Sequence, residues 1–200
     1  MGSKELRVRE TWQDYSGANA GVAEKSFYEV FLKEFKGTDF RIRPKPKEFK
    51  NVYLDVNLPK EVLAEIYNVS KEEIKRHGVS PDYAIDNIKT KKTIYIEVKR
   101  QDGWVEGKPR SVGRGNAHER SNKFFTPGLI KEMRKHGKLG DNVLPFWTVF
   151  QGDITRDPCR VREVTLWYDG YPAHFFMWRN QKDEKPLIEH FNNFIKPLLL

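Results

Sequence analysis

Two acidic residues and a lysine at hairpin spacing are the residues of this chain best suited to chemistry. Asp82 lies in one run of β-branched and aromatic residues, and Glu97 and Lys99 lie in the next. The polar residues 87–92 between the two runs suit a short turn. If that turn centres near residues 89–90, antiparallel pairing sets Asp82 opposite Glu97 or close to it.

This arrangement would place a small charged cluster at the open end of the hairpin. Side chains alternate along a strand, so Glu97 and Lys99 share one face with Asp82, while Val98 points to the other. Two carboxylates this close repel each other unless a cation lies between them, and their oxygens are ligands that suit Mg²⁺. Mg²⁺ activates bound water and neutralises charge on a phosphate, and Lys99 could hold the water or the phosphate. The alternative is a solvated strand face, because Glu/Lys pairs are common in antiparallel sheets.

Length, hydropathy and cysteine content limit the class of protein. A chain of 200 residues is expected to form a single domain, residues 1–200, with a sizeable core. No stretch approaches ~18 consecutive apolar residues, and the N-terminus lacks the apolar segment of a secretory signal. We therefore expect an intracellular protein without a membrane span. The lone Cys159 excludes an internal disulfide and a cysteine-based zinc site.

The positive charge of the chain is concentrated directly after the hairpin. The net charge is +8, and residues 99–138 carry eleven Lys and Arg against four acids, which gives that segment +7. A focused positive region beside a metal site favours a polyanionic partner, and nucleic acid most of all. A solvated basic face is the alternative.

Hydrophobic periodicity predicts the elements that must position these residues. Helices are predicted over 19–37, 58–67, 70–78, 127–137 and 186–199, with an irregular or strand-like segment over 38–58. Apart from the hairpin at about 80–100, strands are predicted over 143–150 and 161–168. Helices before, between and after the strands indicate an α/β domain around a mixed sheet.

Residues 101–123 form a glycine-punctuated segment, which we call the recognition segment, with neither helical nor strand periodicity over most of its length. Irregular spans of about twenty residues inside a compact domain are usually functional. Arginine pairs with guanine, and asparagine with adenine, at base edges in the major groove. Glu119 could orient the neighbouring Arg120 or accept a hydrogen bond from a base amino group. A nucleic-acid contact and a solvated loop both stay open on these residues alone.

The string GRGNAHERSNKFF at residues 113–125, downstream of Pro-Asp and Glu-Val-Lys, resembles the EcoRI-like type II restriction endonucleases of the PD…ExK nuclease superfamily. It is most similar to the MunI branch of that group. Further similar stretches are VKRQDGWVEG, FTPGL, LPFW, GDITRDP, RVRE and FMWR. The resemblance covers most of residues 78–180, and it implies a restriction-endonuclease-like core in which helices flank a central mixed β-sheet.

The resemblance also implies a function and its residues. It implies a homodimer that binds palindromic double-stranded DNA and cuts both strands with Mg²⁺, leaving 5′-phosphate ends. Asp82, Glu97 and Lys99 would be catalytic, and the Val98 carbonyl would join the two acids as a metal ligand. The implied DNA-recognition residues are Arg114, Gly115, Asn116, Ala117, His118, Glu119 and Arg120. Glu119 would lie between the recognition and catalytic groups.

The resemblance further implies the DNA site. Asn116, Ala117 and Arg120 would read an inner AATT, and Arg114 would read an outer G·C pair. EcoRI has an aliphatic residue at the position of His118, and this departure favours a different outer pair and the site CAATTG. The implied setting is the bacterial cytoplasm, together with a DNA methyltransferase that protects the site.

Two other functions fit parts of the same pattern. A repair or junction nuclease of the same broad fold would use the same metal site but read DNA shape, so the recognition segment would need no base-reading residues. A non-enzymatic DNA-binding protein would show salt-sensitive binding and form no Mg²⁺-dependent product.

Overall fold

A computed structural model describes residues 21–67, 76–103 and 118–200. Its frame is a five-stranded sheet whose neighbouring strands follow chain order. The strands are β1 (Phe40–Pro44), β2 (Tyr83–Asn87), β3 (Thr93–Arg100), β4 (Phe146–Gln151) and β5 (Phe175–Trp178). Strands β1, β2 and β3 pair antiparallel, whereas β3, β4 and β5 pair parallel. The predicted mixed sheet is confirmed.

Helices cover both faces of this sheet. They are α1 (described over 21–34), α2 (Lys60–Glu65), α3 (Pro127–Gly137), α4 (Pro158–Trp167), α5 (Lys185–His190), a π-helical turn (Phe191–Ile195) and α6 (Lys196–Leu199). Short 3₁₀ helices span Glu119–Phe125, Asp153–Arg156 and Pro172–His174. Helix α1 and the C-terminal helices bury one face, and α3 and α4 bury the other. The predicted flanking helices are therefore present on both sides.

The face under α1 is an aromatic core. Phe27 and Phe31 of α1 pack edge-on against Trp147 of β4, with ring centroids 5.8 and 5.9 Å apart. Phe31 also meets Phe191 of the C-terminal helices at 5.2 Å. Phe194 of the same C-terminal helices is 50% exposed and lies outside this core. This core anchors the strand faces opposite the charged cluster.

The prediction of a strand over 161–168 is wrong, because this segment belongs to α4. The Asp157 side chain accepts hydrogen bonds from the two backbone N–H groups that follow Pro158. Pro158 itself stands at the first helical position, where its fixed φ favours a helix. These start signals outweigh the β-branched residues that follow. The fifth strand is β5, which the sequence pattern missed.

Most of the other predicted elements agree with the structure. The helices over 127–137 and 186–199 and the strand over 143–150 are confirmed with small shifts at their ends, and the helix over 58–67 is shorter, as α2. Most of the helix predicted over 70–78 lies outside the described residues. In the part of the chain that the structure describes, every helix is too short or too polar to cross a bilayer.

Candidate active site

The β2–β3 hairpin brings the predicted acidic residues together. Its register pairs Tyr83 with Ile96, and one step towards the open end places Asp82 beside Glu97. The turn lies at residues 88–90. Both carboxylates are inside the protein, with Asp82 7% and Glu97 3% exposed. The geometry inferred from hairpin spacing is therefore what the structure shows.

Three oxygen atoms converge on the ammonium group of Lys99. Asp82 Oδ2 and the Val98 carbonyl oxygen each lie 3.3 Å from Lys99 Nζ, and Glu97 Oε2 contacts it directly. The Val98 backbone N–H also donates to Asp82 Oδ2 at 2.9 Å, which fixes that carboxylate. The three oxygens come from the three residues predicted as metal ligands. Because an oxygen-only donor set already surrounds one cationic group, these residues fit a hard divalent ion.

Burial sets the ionisation of this cluster. Burial raises the pKa of Glu97, and the adjacent charge of Asp82 raises it further, against the opposing effect of Lys99. For Asp82 burial acts in the same direction, but Lys99 and hydrogen bonds from Lys45 and the Val98 N–H lower its pKa below the ordinary value. The two acids therefore differ: the pKa of Asp82 lies below its ordinary value and that of Glu97 above it, and a divalent ion bound among these oxygens would displace a proton from Glu97.

Asp86, the other acid in this strand, does not belong to the cluster. Its carboxylate accepts hydrogen bonds from Arg41 Nε at 2.7 Å, from Arg43 Nε at 2.6 Å and from Thr93 Oγ1 at 2.7 Å. These partners satisfy a buried charge at the turn end of the hairpin. Of the two aspartates in the strand region, Asp82 is thus the one that faces Glu97 and Lys99.

Sequence reasoning missed Lys45 and Glu24. Lys45 Nζ lies 2.8 Å from Asp82 Oδ1 and 3.0 Å from Glu24 Oε2. Burial acts to lower the pKa of Lys45, but its two carboxylate partners outweigh burial and raise that pKa. The sequence carries no local signal for this contact, because Lys45 stands 37 residues from Asp82.

The recognition segment is described only in part. Arg114, Gly115, Asn116 and Ala117 lie outside the described residues, as does the Arg120 side chain. His118 is fully buried: its Nδ1 lies 3.0 Å from Gln101 Oε1, and its ring stacks on Trp167 with centroids 5.5 Å apart. The Glu119 side chain is 44% exposed.

Glu163 and Arg160 of α4 lie beside His118, the residue before the 3₁₀ helix Glu119–Phe125. His118 Nε2 lies 3.5 Å from Glu163 Oε2, and the Arg160 guanidinium contacts the same carboxylate. Burial and, second, the charge of Arg160 lower the pKa of His118. Ligand atoms of His118, Glu119 and Glu163 lie within 4.8 Å of one another. This second group includes a histidine nitrogen, whereas the hairpin cluster offers oxygen atoms only, so the hairpin cluster is the better site for a hard divalent ion.

Comparison with known proteins extends the likeness over the whole chain. Residues 1–200 match the family model described as Type II restriction enzyme MunI. A protein named Type II restriction enzyme MunI, from Mycoplasma sp, is 51% identical over 201 residues, covering 100% of both chains. The crystal structure of MunI restriction endonuclease in complex with cognate DNA matches with a TM-score of 0.79 and 50% identity, covering 94% of this chain and 97% of that one. The resemblance inferred from the sequence motifs is confirmed, and so is the restriction-endonuclease-like fold.

Proposed function

The chain belongs to the MunI family of type II restriction enzymes and is a site-specific endonuclease, and from this premise we propose that it cuts both strands of duplex DNA at CAATTG with Mg²⁺. The products would carry 5′-phosphate ends. The observation that carries the proposal is the convergence of Asp82 Oδ2, Glu97 Oε2 and the Val98 carbonyl on one cationic group. The complex of the MunI endonuclease with cognate DNA supports duplex DNA as the substrate.

Asp82, Glu97 and the Val98 carbonyl are the proposed ligands of the metal ion. The resemblance to type II restriction endonucleases implies a divalent metal, and an oxygen-only set favours Mg²⁺ over softer ions. The bound ion supplies positive charge at a phosphate oxygen and a water of lowered pKa. Both carboxylates are buried, which keeps the ligands fixed before DNA arrives. The Lys99 side chain beside them is 18% exposed, so the site lies close to the protein surface.

Lys99 is the proposed partner of the attacking water or of the scissile phosphate. The charges of Glu97 and Asp82 outweigh the effect of burial and raise the pKa of Lys99, so its ammonium is charged. An ammonium donates to a phosphate oxygen or to water, and it neutralises the charge that develops during attack. Water attacks the phosphorus in line, the 3′ oxygen leaves, and the phosphate stays on the 5′ end.

The recognition segment is proposed to supply the base contacts. Arg114 would read the outer G·C pair, and Asn116, Ala117 and Arg120, with Gly115 allowing close approach, would read the inner AATT. Glu119 is exposed beside this set. His118 packs inside the protein on Trp167 and Gln101, so we assign it to holding the segment in place.

The proposal includes the assembly and the setting. A palindrome presents the same half-site twice, and a homodimer of a single-domain chain matches that symmetry. Each copy would cut one strand. An enzyme of this specificity in the bacterial cytoplasm requires a DNA methyltransferase that protects the host's own sites.

A digest of plasmid DNA tests this function. The plasmids carry AATT flanked by each of the four outer base pairs, and each is incubated with Mg²⁺ or with EDTA before the fragment ends are sequenced. We expect discrete fragments only from the plasmid that carries CAATTG, and only with Mg²⁺, not with EDTA. A smear of fragments would point to a structure-directed nuclease, and binding without any product would point to a non-enzymatic DNA-binding protein.

A further inference from the structure

Lys45 is tied to the candidate active site through both its backbone and its side chain. Its N–H donates to the Asp82 carbonyl oxygen at 2.9 Å, and its Nζ lies 2.8 Å from Asp82 Oδ1. Glu24 of α1 holds the same ammonium at 3.0 Å. Lys45, the residue that follows β1, is therefore bonded to Asp82, the acid that faces Lys99.

The backbone of Lys45 is strained in this position. Its φ is +45°, in the left-handed region that residues with a side chain rarely adopt. Pro46 adds to the strain, because a residue before proline is restricted to extended conformations. Such strain costs roughly 1–3 kcal/mol and persists where the surrounding structure fixes it, often at functional sites. At this strained position Lys45 is bonded to Asp82 through both its backbone N–H and its ammonium.

Lys45 contacts the Asp82 oxygen that is not among the proposed metal ligands. Lys99 contacts Oδ2 of this carboxylate, whereas Lys45 contacts Oδ1. Lys45 can therefore stay in place when a metal ion replaces the Lys99 ammonium among the ligand oxygens. Its side chain is 57% exposed, so the charge stands at the surface where DNA must approach.

One donor of the Lys45 ammonium is left for a substrate. An ammonium has three N–H donors, and in the part of the chain that the structure describes the contacts with Glu24 and Asp82 account for two of them. We propose that Lys45 is a DNA-backbone residue of this active site, which Asp82 and Glu24 hold in place to contact a phosphate beside the scissile one. The inference rests on the proposed nuclease function and adds a residue to its substrate-binding surface.

Salt dependence of DNA binding tests the contact. A labelled duplex containing CAATTG is titrated with wild type and with Lys45→Met in EDTA, over 50 to 200 mM salt. One lost phosphate contact should reduce the slope of log K against log salt by about 0.9. The ratio of wild-type to variant affinity should accordingly shrink about 3-fold across this salt range. Lys45→Arg should keep the wild-type slope, because it keeps the charge.

Matched measurements separate the inference from its premise. Lys185→Met removes an exposed charge on α5 and should leave the slope unchanged, and thermal unfolding checks that each variant folds. An unchanged slope for Lys45→Met, even with slower Mg²⁺-dependent cleavage, would overturn the phosphate contact and leave only a role in holding Asp82. Failure of the proposed function itself would be visible in wild type, as absence of DNA binding or of cleavage.

Discussion

Glu97→Gln should stabilise the folded protein by an amount that grows as the pH rises. Burial, together with the adjacent Asp82, raises the pKa of Glu97 from 4.5 to about 8. A group with a raised pKa in the folded state contributes its stability at low pH and loses it as the pH rises through that pKa. Glutamine has nearly the same shape and no titrating proton, so the variant does not lose this stability as the pH rises.

The size of the effect follows from the shift. One pKa unit corresponds to about 1.4 kcal/mol, so between pH 5 and pH 8 the wild type should lose on the order of 3 kcal/mol that the variant keeps. The pKa of Asp82 is lowered and that of Lys99 is raised, so both titrate outside this window. Any effect of glutamine that does not depend on pH adds the same amount at pH 5 and at pH 8. The difference between the two proteins therefore isolates Glu97.

Denaturant unfolding at pH 5, 6, 7 and 8 in EDTA measures this difference. The free energy of unfolding of Glu97→Gln, relative to wild type, should rise by about 3 kcal/mol across the series. Glu34→Gln, at an exposed position of α1, should show a flat difference. A flat difference for Glu97→Gln as well would refute the reasoning, because it would mean that Glu97 ionises in the folded protein as readily as in the unfolded chain.

Two further predictions concern the elements that carry the site. Gly137→Ala should lower the free energy of unfolding by about 2 kcal/mol or more, because an added Cβ would lie 2.4 Å from the Thr93 carbonyl oxygen. Gly128→Ala is the control in the same helix, because an added Cβ there meets nothing within 4 Å. It should change the free energy of unfolding little, or raise it by up to about 1 kcal/mol. Equal Tm values for the two variants would contradict the close approach of α3 to β3. Asp157→Ala should cost about 1 kcal/mol by removing the acceptor at the start of α4, and Asp157→Asn should recover most of it in thermal unfolding. Equal losses for alanine and asparagine would show that the charge, not the cap, stabilises the helix.

The hairpin that carries Asp82 and Glu97 could be predicted because its determinants are local. Side-chain alternation and a short turn fix which residues face each other, and the observed register has Asp82 beside Glu97. The contact of Lys45 with Asp82 could not be predicted in this way. It depends on the pairing of β1 with β2, which brings together two residues 37 positions apart in the chain, and on the packing of α1, which places Glu24 beside them.

The error over 161–168 has a similar origin. β-branched residues there suggested a strand, whereas the helix is set by Asp157 and Pro158 just before it. Strand β5 is only four residues long and exists through its parallel pairing with β4, which no local pattern reveals.

The string GRGNAHERSNKFF at residues 113–125 was identified by its similarity to known enzymes rather than by a physical pattern. Its polar composition alone did not separate a base-reading loop from a solvated one. The burial of His118 was also not predictable, since it depends on Trp167 of α4 stacking against the ring.

Single-turnover cleavage of a duplex containing CAATTG tests the central claim that the Asp82, Glu97 and Lys99 cluster is the catalytic site. Wild type, Asp82→Asn and Lys99→Met are compared over a Mg²⁺ titration with an EDTA control, after thermal unfolding has shown that each protein is folded. We expect wild type to cut only with Mg²⁺, and each variant to be slower by at least about 100-fold. Cleavage by folded Asp82→Asn at the wild-type rate would contradict the assignment of this hairpin as the active site.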